Sequence, residues 1–205
     1  MDAMNLWLPF SFSSATEAIL FGIAYFGWLG SEIIGSVILP RLRQRRLGVK
    51  LVRKDRGSAL VVNTGLMAAI FVAFTFSLVK IALLPEWVFY PGIALMVGGI
   101  VLRQWSIAVL GRFFSVQVSI QEGQTIVRRG PYRYIRHPSY TGTLLTLIGV
   151  GLAVWSWGAL LVLLLVSGIV YGYRIPVEER ALVAQIGEEY IAYMETTKML
   201  IPFLL

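Results

Sequence analysis

The 205-residue sequence contains no cysteine, which excludes disulfides, thiolate catalysis and cysteine-ligated zinc. Histidine occurs once, as His137, so no second imidazole exists to complete a metal site. Charge is scarce as well. Only 14% of the residues are Asp, Glu, Lys or Arg while 57% are hydrophobic, and mean hydropathy is +0.74, against a charged share of about 25% in ordinary soluble domains. The glycine-rich fingerprint of Rossmann-type nucleotide binding is missing, and Gly98-Gly99, which falls inside an apolar run, reads as helix packing.

What is present is a series of long apolar runs. A span needs roughly 20 apolar residues to cross about 30 Å of hydrocarbon. Residues 15–39, 58–84 and 87–110 each meet that length. A shorter fourth run extends from about Ser139 to Val154, and a fifth from Ala159 to about Tyr173, separated by the polar-aromatic turn Trp155-Ser156-Trp157-Gly158. The pattern predicts an all-α integral membrane protein of about five transmembrane helices, the last two forming a helical hairpin. On the fifth run, the Gly168-to-Gly172 spacing is expected to admit a close neighbour.

The basic residues set the orientation. Arg41, Arg43, Arg45, Arg46, Lys50, Arg53, Lys54 and Arg56 lie between the first two spans, and Arg112, Arg128, Arg129, Arg133 and Arg136 between the third and fourth. The positive-inside rule places both stretches, and the C-terminus, in the cytoplasm. Trp87, Phe89, Tyr90, Trp155 and Trp157 then fall in an outer aromatic belt. The +7 net charge therefore reads as topology and attraction to anionic membrane lipids, with no motif for nucleic acid behind it. Glu32 is an acid within the first span, costly there unless it faces the bundle or the interface; a hydrogen bond beside Ser31 and Ser36 would satisfy it.

Two polar constellations interrupt the apolar background. The first is RRGPYRYIRHPSYTG, residues 128–142. Gly130-Pro131 reads as a turn, and Pro138 suits the first turn of the helix that follows. A cationic, aromatic loop thus feeds directly into a membrane helix. The second runs from Arg174 through Glu178 and Glu179 to Leu182, Ile186, Tyr190 and Tyr193, whose spacing predicts a cytosolic C-terminal amphipathic helix interrupted at Gly187. Arg174 and Glu178, one helical turn apart, can share a face. Both constellations are expected on one side of the membrane, at opposite ends of the hairpin.

Together these residues resemble the isoprenylcysteine carboxyl methyltransferase family, part of a wider group of membrane phospholipid and thiol methyltransferases. The resemblance rests on Gly130-Pro131-Tyr132-Arg133, on Arg136 to Gly142, and on Arg174 with Glu178-Glu179, Leu182, Gly187, Tyr190 and Tyr193; it covers roughly residues 100–202. It implies two parts, residues 1–99 as N-terminal spans with the basic loop and residues 100–205 as a methyltransferase-like core of one membrane domain. It further implies S-adenosylmethionine as methyl donor, contacted by Gln117, by Gln124, Thr125, Ile126 and Val127, by Tyr132, by His137, Pro138, Ser139 and Tyr140, and by Glu178. Arg174 would face the acceptor. The family usually has histidine where this chain has Gln124, so a role that needs imidazole there is unfilled. The implied partner is a lipidic or prenylated acceptor at the cytoplasmic face, with no metal.

The residue types suit that chemistry on their own. S-adenosylmethionine carries a carboxylate, an ammonium, a sulfonium and an adenine. Arginine or backbone N–H can hold the first, Glu178 or Glu179 the ammonium or ribose, and tyrosine the sulfonium or adenine. A carboxylate acceptor is already ionised at neutral pH and needs only an arginine to orient it, whereas an amine would need Glu178 or Glu179 as a base. His137 reads either as a base or as a donor that fixes the loop or a nucleotide. A membrane reductase using a nicotinamide cofactor, as in sterol reductases that resemble this C-terminal region, is a second reading. A non-enzymatic membrane protein with the same fold is a third.

Overall fold

The computed structural model describes residues 12–46, 51–53, 57–116, 119–121 and 125–201. Helix α1, Ala15–Ser31, starts where the Ser14 hydroxyl accepts the Glu17 N–H, a side-chain N-cap. It continues without a break through a π-helical segment, Glu32–Ile38, into α2, Leu39–Arg46. Helix α3 spans Ser58–Leu78, α4 spans Phe89–Leu110, α5 spans Pro138–Ala153, α6 spans Trp157–Ile186 and α7 spans Glu188–Thr196. Strands β1, Leu51–Arg53, and β2, Ser119–Gln121, pair antiparallel with Val52 opposite Ile120. They tie the segment between the first two spans to the segment after α4.

Four helical stretches are long and apolar enough to cross a membrane: Ala15–Arg46, Ala59–Leu78, Glu86–Phe113 and Trp157–Ile186. Helix α5, the expected fourth span, has 16 residues, a length of about 24 Å at the usual helical rise. It is the most enclosed helix, with Leu147, Val150 and Ala153 buried, because α4 and α6 pack on either side of it. Phe89, Met96, Leu147, Val150 and Leu163 form the centre of the core.

Small residues set a close contact between two helices, and Gly99 of the expected Gly98-Gly99 pair takes part in it. A Cβ added at Gly99 would stand 2.5 Å from the Gly142 carbonyl and the Thr146 nitrogen, and one at Gly149 would stand 2.5 Å from the Gly92 carbonyl. Backbone atoms of α4 and α5 thus meet directly. Gly99 plays the packing role expected of the Gly98-Gly99 pair, while Gly98, Gly168 and Gly172 have no atom within 4 Å of an added Cβ among the described residues. The Gly168-to-Gly172 spacing is therefore not a helix contact here.

The connections sort to two ends. At one end the α5–α6 turn hydrogen-bonds to the loop before α4, with Leu84 N–H donating to the Trp155 carbonyl and Trp157 N–H to that of Ala82. The other end gathers the Arg-His-Pro loop, the β1–β2 ribbon and α7. Helix α6 runs 30 residues, through Pro176, before Gly187 stops it with a φ of 72°. The expected fifth span and the first half of the expected amphipathic segment are thus one helix, and only the part after Gly187 is separate.

Candidate functional site

The Arg-His-Pro loop owes its shape to the C-terminal segment. Gly130, at φ 58°, opens a short 3-10 turn over Gly130–Arg133, the backbone region that glycine enters at least cost. The Arg136 and His137 N–H groups donate to the Lys198 and Met199 carbonyls, Lys198 N–H returns to Tyr134, and the Thr141 hydroxyl donates to Leu200. The strap of residues 197–200 thereby satisfies loop donors that would otherwise be buried unpaired. Pro138 then begins α5, as its fixed φ and missing N–H favour.

Side chains complete the clamp. Arg136 donates through Nε to Glu179 Oε1 at 2.7 Å and through Nη1 to the Met194 and Thr197 carbonyls. His137 Nε2 lies 3.1 Å from the same carboxylate oxygen. A carboxylate only accepts, so that ring nitrogen carries the proton. His137 stacks on Tyr140 with ring centres 5.5 Å apart, and Tyr140 on Tyr171 at 4.8 Å. Of the two ways to read His137, the geometry favours the donor that fixes the loop.

Tyr140 links the acid and the arginine of α6. Its hydroxyl donates to Glu178 Oε2 at 2.6 Å and accepts from Arg174 Nε at 3.3 Å, while Arg174 Nη2 donates to the Val116 carbonyl. Glu178 and Glu179 therefore part company: successive helix positions send Glu179 into the clamp and Glu178 to the cavity. The Tyr193 hydroxyl donates to the Tyr132 carbonyl at 2.6 Å, and Arg128 sits over the Tyr193 ring. Burial, reinforced by the Glu178 carboxylate, pushes the Tyr132 phenol up, and burial raises Tyr190 and moves Tyr193 up to about 12. All three are neutral phenols at physiological pH.

These groups border one cavity of about 280 Å³. Thr125, Ile126, Val127, Tyr132, His137, Ser139, Tyr140, Arg174 and Glu178 all line it. Pro138 is buried behind the wall, and Gln117 and Gln124 lie outside the described residues. The cavity also extends between the N-terminal helices, where Trp28, Leu29, Leu66, Met67 and Ile70 make an apolar half. Sequence reasoning missed Arg103 on α4, which lines the cavity with Glu32; an ionisable residue within an apolar span was signal enough to find it.

A bundle of membrane-length helices enclosing a polar site joined to an apolar chamber is the architecture of an integral membrane protein with a ligand-sized cavity. Residues 92–184 match the family model of isoprenylcysteine carboxyl methyltransferase. Protein-S-isoprenylcysteine O-methyltransferase A of Arabidopsis thaliana is 28% identical over 153 residues, covering 71% of this chain and 78% of the relative. A probable protein-S-isoprenylcysteine O-methyltransferase of Oryza sativa subsp. indica is 26% identical, covering 74% and 83%. The solved eukaryotic intramembrane Ras methyltransferase, isoprenylcysteine carboxyl methyltransferase, shares the fold with a TM-score of 0.58 at 21% identity, over 92% of this chain and 66% of the solved one. Residues 92–184 are thus the part of this chain that resembles the isoprenylcysteine carboxyl methyltransferase family.

Proposed function

We propose that the protein transfers a methyl group from S-adenosylmethionine to the carboxylate of a prenylated cysteine at the cytoplasmic face of the membrane. The observation that carries this reading is the Tyr140 hydroxyl bridging Glu178 and Arg174 at the wall of a half-polar, half-apolar cavity. In this reading residues 100–205 form the methyltransferase core of one membrane domain, and residues 1–99 wall its apolar chamber. The relatives' names point to the same acceptor class.

The polar half suits the methyl donor. Glu178 would hold its ammonium or ribose, the neutral phenols of Tyr132, Tyr140 and Tyr190 offer faces to a sulfonium or adenine, and Thr125 to Val127 close the wall, with Gln117 and Gln124 implied by the family. Bound there, S-adenosylmethionine supplies a methyl group made electrophilic by its positive sulfur. Arg174 orients the acceptor carboxylate, which needs no general base because it is ionised at neutral pH. Apolar side chains around the acceptor tail exclude water and hold the reactants in line, the main source of acceleration open to such a displacement.

The test is methylation by purified protein in lipid nanodiscs with radiolabelled donor, across prenylcysteine, phospholipid amine, small thiol and isoprenoid acid acceptors. Label on prenylcysteine that alkali releases as methanol, the behaviour of a methyl ester, is the expected result. Alkali-stable label on an amine or thiol would overturn the proposed acceptor.

A further inference from the structure

Arg103 and Glu32 are the charged pair that the proposed chemistry leaves unused. Arg103 lies on α4 within a span, and its Nε and Nη2 donate to Glu32 at 2.5 Å and 2.6 Å. Nη2 also reaches the Ser36 hydroxyl and Nη1 the Ser139 carbonyl, both at 3.3 Å, while Ser36 donates to Glu32 Oε2. Ionisable groups at such depth are costly and mark functional positions by default. The π-helical segment begins at Glu32 itself, and such segments concentrate where a side chain must be re-aimed for function.

The bonding pattern says what the pair can recognise. Among the described residues Oε2 of Glu32 accepts two hydrogen bonds and Oε1 one, whereas an ionised carboxylate has about four acceptor sites. The Glu32 side chain is 25% exposed against 14% for Arg103, and both line the cavity. The guanidinium is turned inward and used; the carboxylate keeps acceptor capacity on Oε1, which takes one hydrogen bond. A pin that served only to join α1 to α4 would need no such opening.

Its location fits a contact to the acceptor. Arg103 holds the Ser139 carbonyl, and the next residue, Tyr140, carries the bridge to Arg174. On the N-terminal side, Trp28 and Leu29 of the same helix as Glu32 line the apolar half. The pair therefore stands between the place of the carboxylate and the place of the tail. In a prenylated cysteine the group at that junction is the nitrogen on the carbon that bears the carboxylate.

We propose that Glu32 is a specificity-determining residue that accepts a hydrogen bond from this acceptor N–H, so that the enzyme selects amido thioether acids over simple isoprenoid acids. The inference rests on the proposed function and narrows its substrate class. It is tested with protein in nanodiscs and three acceptors: an N-acetyl prenylcysteine, its analogue methylated on the acetamido nitrogen, which keeps the carbonyl and the free carboxylate but lacks the donor, and the prenylthioether acid without nitrogen. A hydrogen bond to a charged group predicts kcat/KM lower by roughly tenfold to a hundredfold for the latter two, expressed mainly in KM. The double change Glu32→Leu with Arg103→Met removes both charges and leaves neither unpaired. It is expected to bring the three values within about twofold while donor affinity by calorimetry stays within about threefold. Equal use of the three acceptors by the unaltered protein, or a preference that survives the double change, overturns the assignment. Should the double variant fail to bind donor, the unaltered protein's response to N-methylation decides. Methylation of none of the three removes the proposed function and this inference with it, whereas methylation of all three with equal efficiency removes only this inference.

Discussion

Replacing Glu179 by Gln is predicted to destabilise the ligand-free protein by ~2–3 kcal/mol. Arg136 and Glu179 present side chains only 9% and 10% exposed, and the carboxylate oxygen that Arg136 meets at 2.7 Å also lies 3.1 Å from His137. Removing one partner of a buried ion pair costs about 3–5 kcal/mol, because the other charge is left without compensation. The amide can still accept one hydrogen bond, and Arg136 keeps the Met194 and Thr197 carbonyls, which brings the expectation down to the lower figure. The assay is reversible unfolding in mixed micelles titrated with dodecyl sulfate, with no donor present. Glu179→Asp, which keeps the charge on a shorter stem, is expected to lose less. Unchanged stability in Glu179→Gln, within about 0.5 kcal/mol, would refute the clamp, and weakened donor binding alongside it would make Glu179 a ligand.

Four other outcomes are expected. Glu178→Ala weakens donor binding by roughly tenfold to a hundredfold, the loss of one charge-assisted hydrogen bond, and calorimetry that finds unchanged affinity would count against its assignment. Arg174→Ala lowers kcat/KM for the acceptor by at least about tenfold with donor affinity nearly intact; equal loss of both would mean that the arginine mainly supports Tyr140 and the Val116 carbonyl. Gly99→Leu forces α4 from α5 and lowers thermal stability, whereas Gly98→Leu, with open space around it, leaves the melting temperature unchanged. Tyr193 has a folded pKa of about 12 against the usual 10.0. The unfolded chain therefore loses that proton first, so stability is flat below about pH 10 and falls as pH rises toward 12; Tyr193→Phe flattens the fall.

Legibility in the sequence followed contrast. The Arg-His-Pro loop stood out because polar, cyclic and aromatic residues interrupt an apolar background, and its turn at Gly130 and helix start at Pro138 lie where backbone chemistry puts them. The two-ended sorting of loops followed from charge placement. Helix α6 was harder: Arg174, Glu178 and Glu179 end the hydrophobic run, yet nothing in those residues breaks a helix and even Pro176 is absorbed. Glu178 and Glu179 could not be told apart in one dimension, because their roles depend on which neighbour each helical direction meets. The small-residue spacing at Gly168 and Gly172 misled for the same reason. The α4–α5 contact uses Gly92, Gly99, Gly142 and Gly149, glycines on two chain segments whose facing is a property of the bundle. Arg103 is legible as a charge inside an apolar run.

The strap at residues 197–200 has a consequence for how the site comes into being. As the chain leaves the ribosome, the Arg-His-Pro loop is made some sixty positions before the carbonyls that receive its N–H groups. The four described membrane-length helices all precede the strap in the chain, so until residues 198 and 199 are in place the Arg136 and His137 N–H groups have only water to bond. Chains halted after Ile186 would keep those helices and lack the carbonyls that receive the loop's N–H groups.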